Sequence, residues 1–342
     1  MTRRIVFGAI AIVAVVFGLA LFEPFKGDGG DPVRVTVPKE AGVGEIADIL
    51  ADREVISNAM LFEVRATIGG DRGDLKPGVY ELRKDMAYGD AIDRLVAGPS
   101  REIIQLTIPE GLSRREVAPV AARAGVRGSY LHASLTTSLI DAREYGLQND
   151  PESLEGFLFP ATYELRRGAS ALALVRRQVA AFRDNLAQVS LRYARRKNLT
   201  VFDVVTIASM VEREAQQPKE RKLVAAVIYN RLKQGIPLGI DATIRFATGN
   251  WQQPLTQSQL ATDSPYNTRT NAGLPPGPIG NPGLASLQAA ANPARVGYLY
   301  YVVKPGTCGE HAFSTTSAEF ERDRQRYNEV REAAGGNSPT KC

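Results

Sequence analysis

A continuous apolar run stands near the start of the chain. From Ile5 to Phe22, "IVFGAIAIVAVVFGLALF", eighteen residues pass without a charge or a proline. That is about the minimum for a helix that spans a bilayer. Arg3 and Arg4 precede the run, and Glu23, Lys26, Asp28 and Asp31 follow it. A positive N-terminal flank predicts a cytoplasmic N-terminus and an extracytoplasmic remainder. A cleaved signal peptide is the competing reading, with Gly18-Leu19-Ala20 as its small-x-small site. Leu21 and Phe22 carry the apolar run past that point and favour a retained anchor. The expectation is a single-pass protein of the cell membrane, with residues 1–26 as cytoplasmic tip and anchor and 27–32 as a Gly-rich tether.

Shorter patterns follow. "VRVTVP" reads as an extended run ended by Pro38. "GEIADILADREV" places Ile46, Ile49, Leu50 and Val55 at near-helical spacing, and "NAMLFEVRATIG" is a second helical pattern. "LKPGVYEL" predicts a turn leading into a short strand. "AYGDAIDRLVAG" predicts a helix stopped by Gly98. Together they predict a small α+β unit over 33–99. "VTVPKEAGVGEIADILA" from Val35 then aligns with "LTIPEGLSRREVAPVAA" from Leu106. In each, an extended run ends in proline and a Glu-aliphatic pair, Glu45-Ile46 or Glu116-Val117, opens a helix. That faint repeat predicts a second small α+β unit over 100–150, although strand-proline-helix is common enough to recur by chance.

From residue 151 to 334 the texture is that of a mixed α+β domain. "LEGFLFPATYEL" is aromatic and holds a proline, so it reads as a loop or an edge strand. "ASALALVRRQVAAFRDNLAQVSLRYARRK" reads as one long helix. "LTVFDVVTIASMVEREAQQP" opens on a capping pattern, Thr200 with Asp203. "KERKLVAAVIYNRLKQG" is a further helix stopped by Gly235. Helical periodicity is mostly absent from Gly235 to Gly283. "LASLQAAANP" is a short helix, "GYLYYVV" and "HAFSTT" are two strands around a turn, and a charged helix closes the domain. Residues 335–342 are expected to be a disordered tail.

Composition narrows the chemistry. The net charge of +5, from 42 basic and 37 acidic residues, is too small to call for a nucleic-acid partner. The chain has two cysteines and two histidines, so no zinc-type cluster or His-based centre is expected. No cofactor is expected. Acid–base chemistry falls to carboxylates.

"ASMVEREA" supplies a candidate. At 100° per residue Ile207, Met210, Val211 and Ala215 share one helix face, and Glu214 falls within that apolar stripe. Glu212 falls about 160° away from it, at a polar margin, and is expected to be a solvated charge. Burial beside apolar groups disfavours a carboxylate and raises its pKa, which suits a general acid. A structural ion pair with Arg213, Lys219, Arg221 or Arg231 would explain the same pattern. Downstream, "IDATI" offers Asp241 and Thr243. The long irregular segment "SPYNTRTNAGLPPGPIGNPG" offers Tyr266, Asn267 and Thr268 as partners for sugar hydroxyls or N-acetyl groups, or as turn residues that satisfy backbone groups.

Taken in order, "KPGVYEL", "IPEG", "LEGFLFPATYEL", "ASMVEREA", "VAAVIYNRL", "IDAT", "SPYNTRTNAGLPPGPIGNPG" and "YLYYVV…HAFSTT" make the chain resemble the YceG-like family of endolytic murein transglycosylases. The resemblance covers nearly everything after the tether. It implies a LysM-like N-terminal unit and a catalytic domain whose essential acid is the second glutamate of the E-x-E pair, here Glu214. It implies cleavage of the MurNAc–GlcNAc bond in peptidoglycan glycan strands, giving 1,6-anhydro-MurNAc ends. It also implies work at the cytoplasmic membrane, beside cell-wall synthases. Three positions depart from the family's pattern. Ala161 replaces an aspartate, Gly239 a glutamine, and Arg269 an aromatic, which leaves Arg269 free to meet a stem-peptide carboxylate. His311, in a family motif, is a candidate site-lining residue, and His132 is read as structural. A muramidase with Asp241 as base for water, and a glycan-binding scaffold without turnover, are the alternatives. A Cys308–Cys342 disulfide is compatible with an extracytoplasmic location but not required by it.

Overall fold

The computed structural model describes residues 7, 12, 15–23, 26, 29–99, 103–336 and 339–340. The expected membrane-spanning helix, Ile5 to Phe22, lies partly outside them. Its described part, 15–22, is helical, but at 1.5 Å per residue it advances about 12 Å. The hydrocarbon layer is about 30 Å thick. No helix among the described residues is long and apolar enough to cross a membrane. The single-pass anchor, and the cell-membrane placement that rested on it, are corrected accordingly. The remainder is mixed α+β, and it divides into two compact units, Met1–Glu102 and Ile103–Cys342.

In the first unit, β1 (Pro32–Val37) pairs antiparallel with β2 (Gly78–Arg83), with Val35 opposite Tyr80. Between them lie α1 (Val43–Asp52) and α2 (Ala59–Gly69), and α3 (Tyr88–Ala97) follows. Alternation along the strands turns Val35, Val37, Tyr80 and Leu82 inward. There they meet Ile46, Leu50, Phe62, Ala66, Ile92 and Leu95 in one core. Asn58 caps α2 by accepting from the Leu61 N–H. Gly98, at φ 93°, ends α3 as its position predicts.

The second unit opens with β3 (Ile103–Thr107), which pairs antiparallel with β4 (Thr162–Arg166). That pairing joins residues 103–150, read from sequence as a small unit of their own, to the same core as residues beyond 151. After β3 comes α4 (Arg114–Arg123), and after β4 comes α5 (Ala171–Leu186). Here the long helical pattern breaks: α5 stops at Leu186, and only a single turn, Arg192–Arg195, resumes it. The next elements are α6 (Val201–Glu214), α7 (Arg221–Gln234), α8 (Asp241–Thr248) and α9 (Leu284–Ala291). The hairpin of β5 (Tyr300–Val303) and β6 (His311–Ser314) and the charged α10 (Ser317–Ala333) complete the unit. Helix α8 lies in the stretch from Gly235 to Gly283, where helical periodicity is mostly absent from the sequence. It is short, begins at Asp241 and ends at Gly249, at φ 73°, so it shows too few turns for its period to register.

Helix α6 is the central rod. Thr200 and Asp203 form the expected capping box, which fixes its start. Every residue from Val204 to Val211 is buried, with α9 and α7 packed against it. The buried hydroxyls in mid-helix are satisfied: Thr206 Oγ1 donates to Phe202 O, and Ser209 Oγ donates to Thr206 O and accepts from Ile279 N–H at 3.0 Å. Cys308 is disulfide-bonded, and Cys342 lies outside the described residues. In the tail, Pro339 is buried and its carbonyl accepts from Gly306 N–H at 2.8 Å, so this part of 335–342 is ordered against the hairpin turn.

Candidate functional site

Glu214 is the last residue of α6, at the point where the buried rod emerges. The residue is half-buried. Its Oε2 accepts from Tyr301 Oη at 3.0 Å. Burial pushes the carboxyl's pKa up, and the negative charge of Asp241 pushes it the same way. The Tyr301 hydroxyl, then His311 and the Ala242 N–H, pull it down, and burial keeps the balance upward. The stripe of Ile207, Met210, Val211 and Ala215 beside it is buried.

Glu212 does not behave as its phase suggests. Its side chain is 6% exposed. One oxygen accepts from Gly283 N–H at 2.9 Å, and the other faces Arg221 Nη2 at 3.5 Å. The polar margin assigned to it does not exist, because α6 is covered on all sides between Val204 and Val211. Glu212 is thus an anchor for the start of α9.

The remaining candidates separate into two groups. Asp241, the first residue of α8, is half-exposed and holds Arg269 through one oxygen, Oδ1, at 3.0 Å to Nε and 2.7 Å to Nη2. Arg269 therefore meets a carboxylate of its own chain. His311 is buried. Its N–H donates to Glu220 Oε1 at 3.0 Å, and its Nδ1 lies 2.8 Å from Glu220 Oε2. Its ring stands edge-on to Tyr301, centroids 5.2 Å apart. Glu214, Asp241, Arg269, His311 and Tyr301 thus form one constellation.

Thr243, Thr268 and Asn267 belong to the scaffold beneath it. All three are buried. Thr243 Oγ1 donates to Ile240 O at 2.7 Å, and Thr268 Oγ1 accepts from Ile240 N–H at 3.0 Å. Asn267 Nδ2 donates to Leu260 O and Thr262 O, while Oδ1 accepts from Arg269 N–H. Their hydrogen-bonding capacity goes into the loop and the start of α8. Tyr266 packs its ring on Phe246, centroids 5.0 Å apart. Burial pushes its phenol pKa up to about 12, and its Oη lies near Gly277, at 3.4 Å from where a Cβ would stand.

Sequence reasoning missed Tyr301 and two buried carboxyls, Glu220 and Glu155. Tyr301 is 87 positions from Glu214, and no local period reveals a contact that long. Glu155 accepts from Arg114 N–H at both oxygens, 3.1 and 3.0 Å, and from Asn281 Nδ2 at 2.9 Å. Arg213, beside Glu214, pairs with Glu116 and stacks on Trp251, its Cζ 3.6 Å from the ring centroid. Among the described residues no group of His, Cys, Asp and Glu is placed to hold a metal ion.

Comparison with known proteins bears on this site. The model of the YceG-like family matches residues 35–326. An endolytic murein transglycosylase of Bacillus subtilis (strain 168) is 30% identical over 329 residues, covering 92% of this chain and 90% of that protein. One from Streptococcus pneumoniae (strain ATCC BAA-255 / R6) is 31% identical over 312 residues, covering 82% of this chain and 55% of that protein. A crystal structure of a YceG-like protein from Listeria monocytogenes superposes with a TM-score of 0.58 at 30% identity, covering 85% of this chain and 98% of that one.

Proposed function

Because the chain belongs to the YceG-like family, we propose that it is a lytic transglycosylase of peptidoglycan, with Glu214 as acid and then base. The observation that carries this is the state of Glu214. It is a half-buried carboxyl whose acidity is suppressed mainly by burial, yet which keeps one face open. That is what a general acid working near neutral pH needs. Ordinary glycosidases use two carboxyl groups; a lytic enzyme manages with one, because the nucleophile is the substrate's own C6 hydroxyl. Glu214 gives its proton to the oxygen leaving MurNAc C1, and the C1–O bond breaks. The carboxylate then takes the C6-hydroxyl proton as O6 bonds to C1. The 1,6-anhydro ring closes, Glu214 ends protonated as it began, and no water is consumed. Intramolecular attack gains from proximity.

Asp241 supports this as a charge that keeps Glu214 protonated rather than as a base for water. Arg269 occupies one of its oxygens with two hydrogen bonds, which disfavours the hydrolytic alternative. We assign the first unit, LysM-like by resemblance, to holding the glycan strand.

Mass spectrometry of ends released from uncrosslinked glycan strands tests the assignment. The purified protein is expected to give anhydro-MurNAc ends that vanish in Glu214→Gln and persist in Glu212→Gln. Reducing ends would mean hydrolysis with Asp241 as base. Strand binding without cleavage would mean a scaffold. Asp241→Asn is expected to lower turnover with the fold intact; unchanged turnover would remove its role.

A further inference from the structure

Tyr301 is a feature that the acid–base cycle does not yet use. It sits in β5, opposite Phe313 in β6. The edge of His311 packs against its ring at 5.2 Å, and His311 is itself locked by Glu220 through backbone N–H and Nδ1. From this position the phenol donates to Glu214 Oε2 at 3.0 Å. Among the described residues Tyr301 is the side chain that hydrogen-bonds to Glu214, beside the backbone donor Ala242 N–H.

We propose that Tyr301 is a positioning residue that gives the two oxygens of Glu214 fixed roles, Oε2 held by the phenol and Oε1 carrying the proton out and back. This rests on the lytic reading of Glu214. A carboxylic acid has one hydroxyl oxygen and one carbonyl oxygen, and the carbonyl oxygen is the stronger acceptor, so a phenol that donates to Oε2 favours Oε2 as the carbonyl. The acid proton is thereby placed on Oε1. After the proton leaves, the phenol still donates to Oε2, and Oε1 is the oxygen left to act as base. One oxygen is enough for both transfers. A β-linked oxygen departs from the ring face on which C6 stands, and the 1,6-anhydro bridge closes on that face. A carboxyl free to rotate would spend part of its time with the proton on the wrong oxygen, and would need to turn between the two steps.

The phenol can only donate if it stays neutral. Burial, then the neighbouring Glu214, push its ionisation well above the ordinary tyrosine range. The charged and titratable groups that face the pair are Asp241 from α8 with its partner Arg269, His311 from β6, and Arg231 from α7. The Ala242 N–H adds a backbone donor from α8. Arg231 is tied to Leu299 O and Leu238 O, at 2.6 and 2.7 Å.

The test is the pH profile of kcat/KM for anhydro-end formation by the full chain carrying Tyr301→Phe. The lost donor favoured the carboxylate, so its removal is expected to move the alkaline limb upward by about one pH unit. Turnover is expected to fall about tenfold or more. Replacement of Tyr301 by a fluorinated tyrosine, a stronger donor of nearly the same shape, is expected to move the limb the opposite way. A purely structural role would lower turnover and leave the limb in place. A limb unmoved by either replacement overturns the proposal. Glu214→Gln runs beside them. If it still makes anhydro ends, the catalytic reading itself fails; if it is inactive while the limb stays fixed in both Tyr301 variants, only the role of Tyr301 fails.

Discussion

Glu155, buried, and Glu214, half-buried, show how neighbours divide structural from reactive carboxyls in the second unit. Glu155 is 8% exposed and takes donors from Arg114 N–H and Asn281 Nδ2. Both its oxygens are occupied, so it binds chain to chain. Burial pushes its pKa from 4.5 up to about 7, despite the Arg114 and Asn281 donors and the Arg114 charge that pull it down; Glu116 pushes it up further. Between about pH 4.5 and 7 the folded chain binds more protons than the unfolded one, so stability is full below that window and falls as pH rises through it. The effect is on the order of 3 kcal/mol. Glu155→Gln is expected to flatten melting temperature against pH across this window; a slope equal to the parent's would refute that. Glu214 has a half-open face and one side-chain donor. Glu214→Gln, which removes a carboxyl that folding discourages from ionising, is expected to melt at or above the parent temperature while activity is lost.

Elements fix the site through close approaches and buried amides. Asn281 is buried, accepts from Gly156 and Leu158 N–H at 2.9 and 3.0 Å, and donates to Leu112 O at 2.8 Å. It stitches the end of the long loop to the segments before α4 and β4. Asn281→Ala strands these groups and is expected to cost about 3 kcal/mol or more, read from denaturant melts. Gly280 lies so near Gly111 that a Cβ would stand 2.3 Å from its carbonyl oxygen, whereas at Gly283 the obstacle is the flexible end of Glu110. Gly280→Ala is therefore expected to destabilise by about 2 kcal/mol, and Gly283→Ala by less. At this scale the sequence was legible where signals are local. The Thr200–Asp203 cap and the glycine stops at Gly98 and Gly235 are as read. Phase misled at Glu212, because a helix enclosed on all sides has no polar margin. Asn267 and Thr268 stayed open in the sequence between sugar partners and turn residues, because the chemistry that binds a sugar hydroxyl also binds a backbone; in the folded chain both bond to backbone groups.

Across the whole molecule, two hydrophobic cores form in sequence order. Phe62→Ala, in the first, is expected to cost about 3–5 kcal/mol and to raise amide exchange within 29–99. The mixed α+β character was readable from periodicity, while the pairing of β3 with β4 was not, because the partners lie 55 positions apart at Thr107 and Thr162. Apolar length alone also over-read the N-terminus. Helix α6 ends at Glu214, and α8 begins at Asp241, with the Ala242 N–H directed at Glu214. Peptide dipoles leave a partial negative charge at the tail of one helix and a partial positive charge at the head of the other. The carboxyl lies between two opposed backbone fields. Fields of that kind belong to the path of the chain rather than to any side chain. Sequence drift that preserves the two helices therefore preserves much of the acid's electrical setting, even where most surrounding residues have been exchanged.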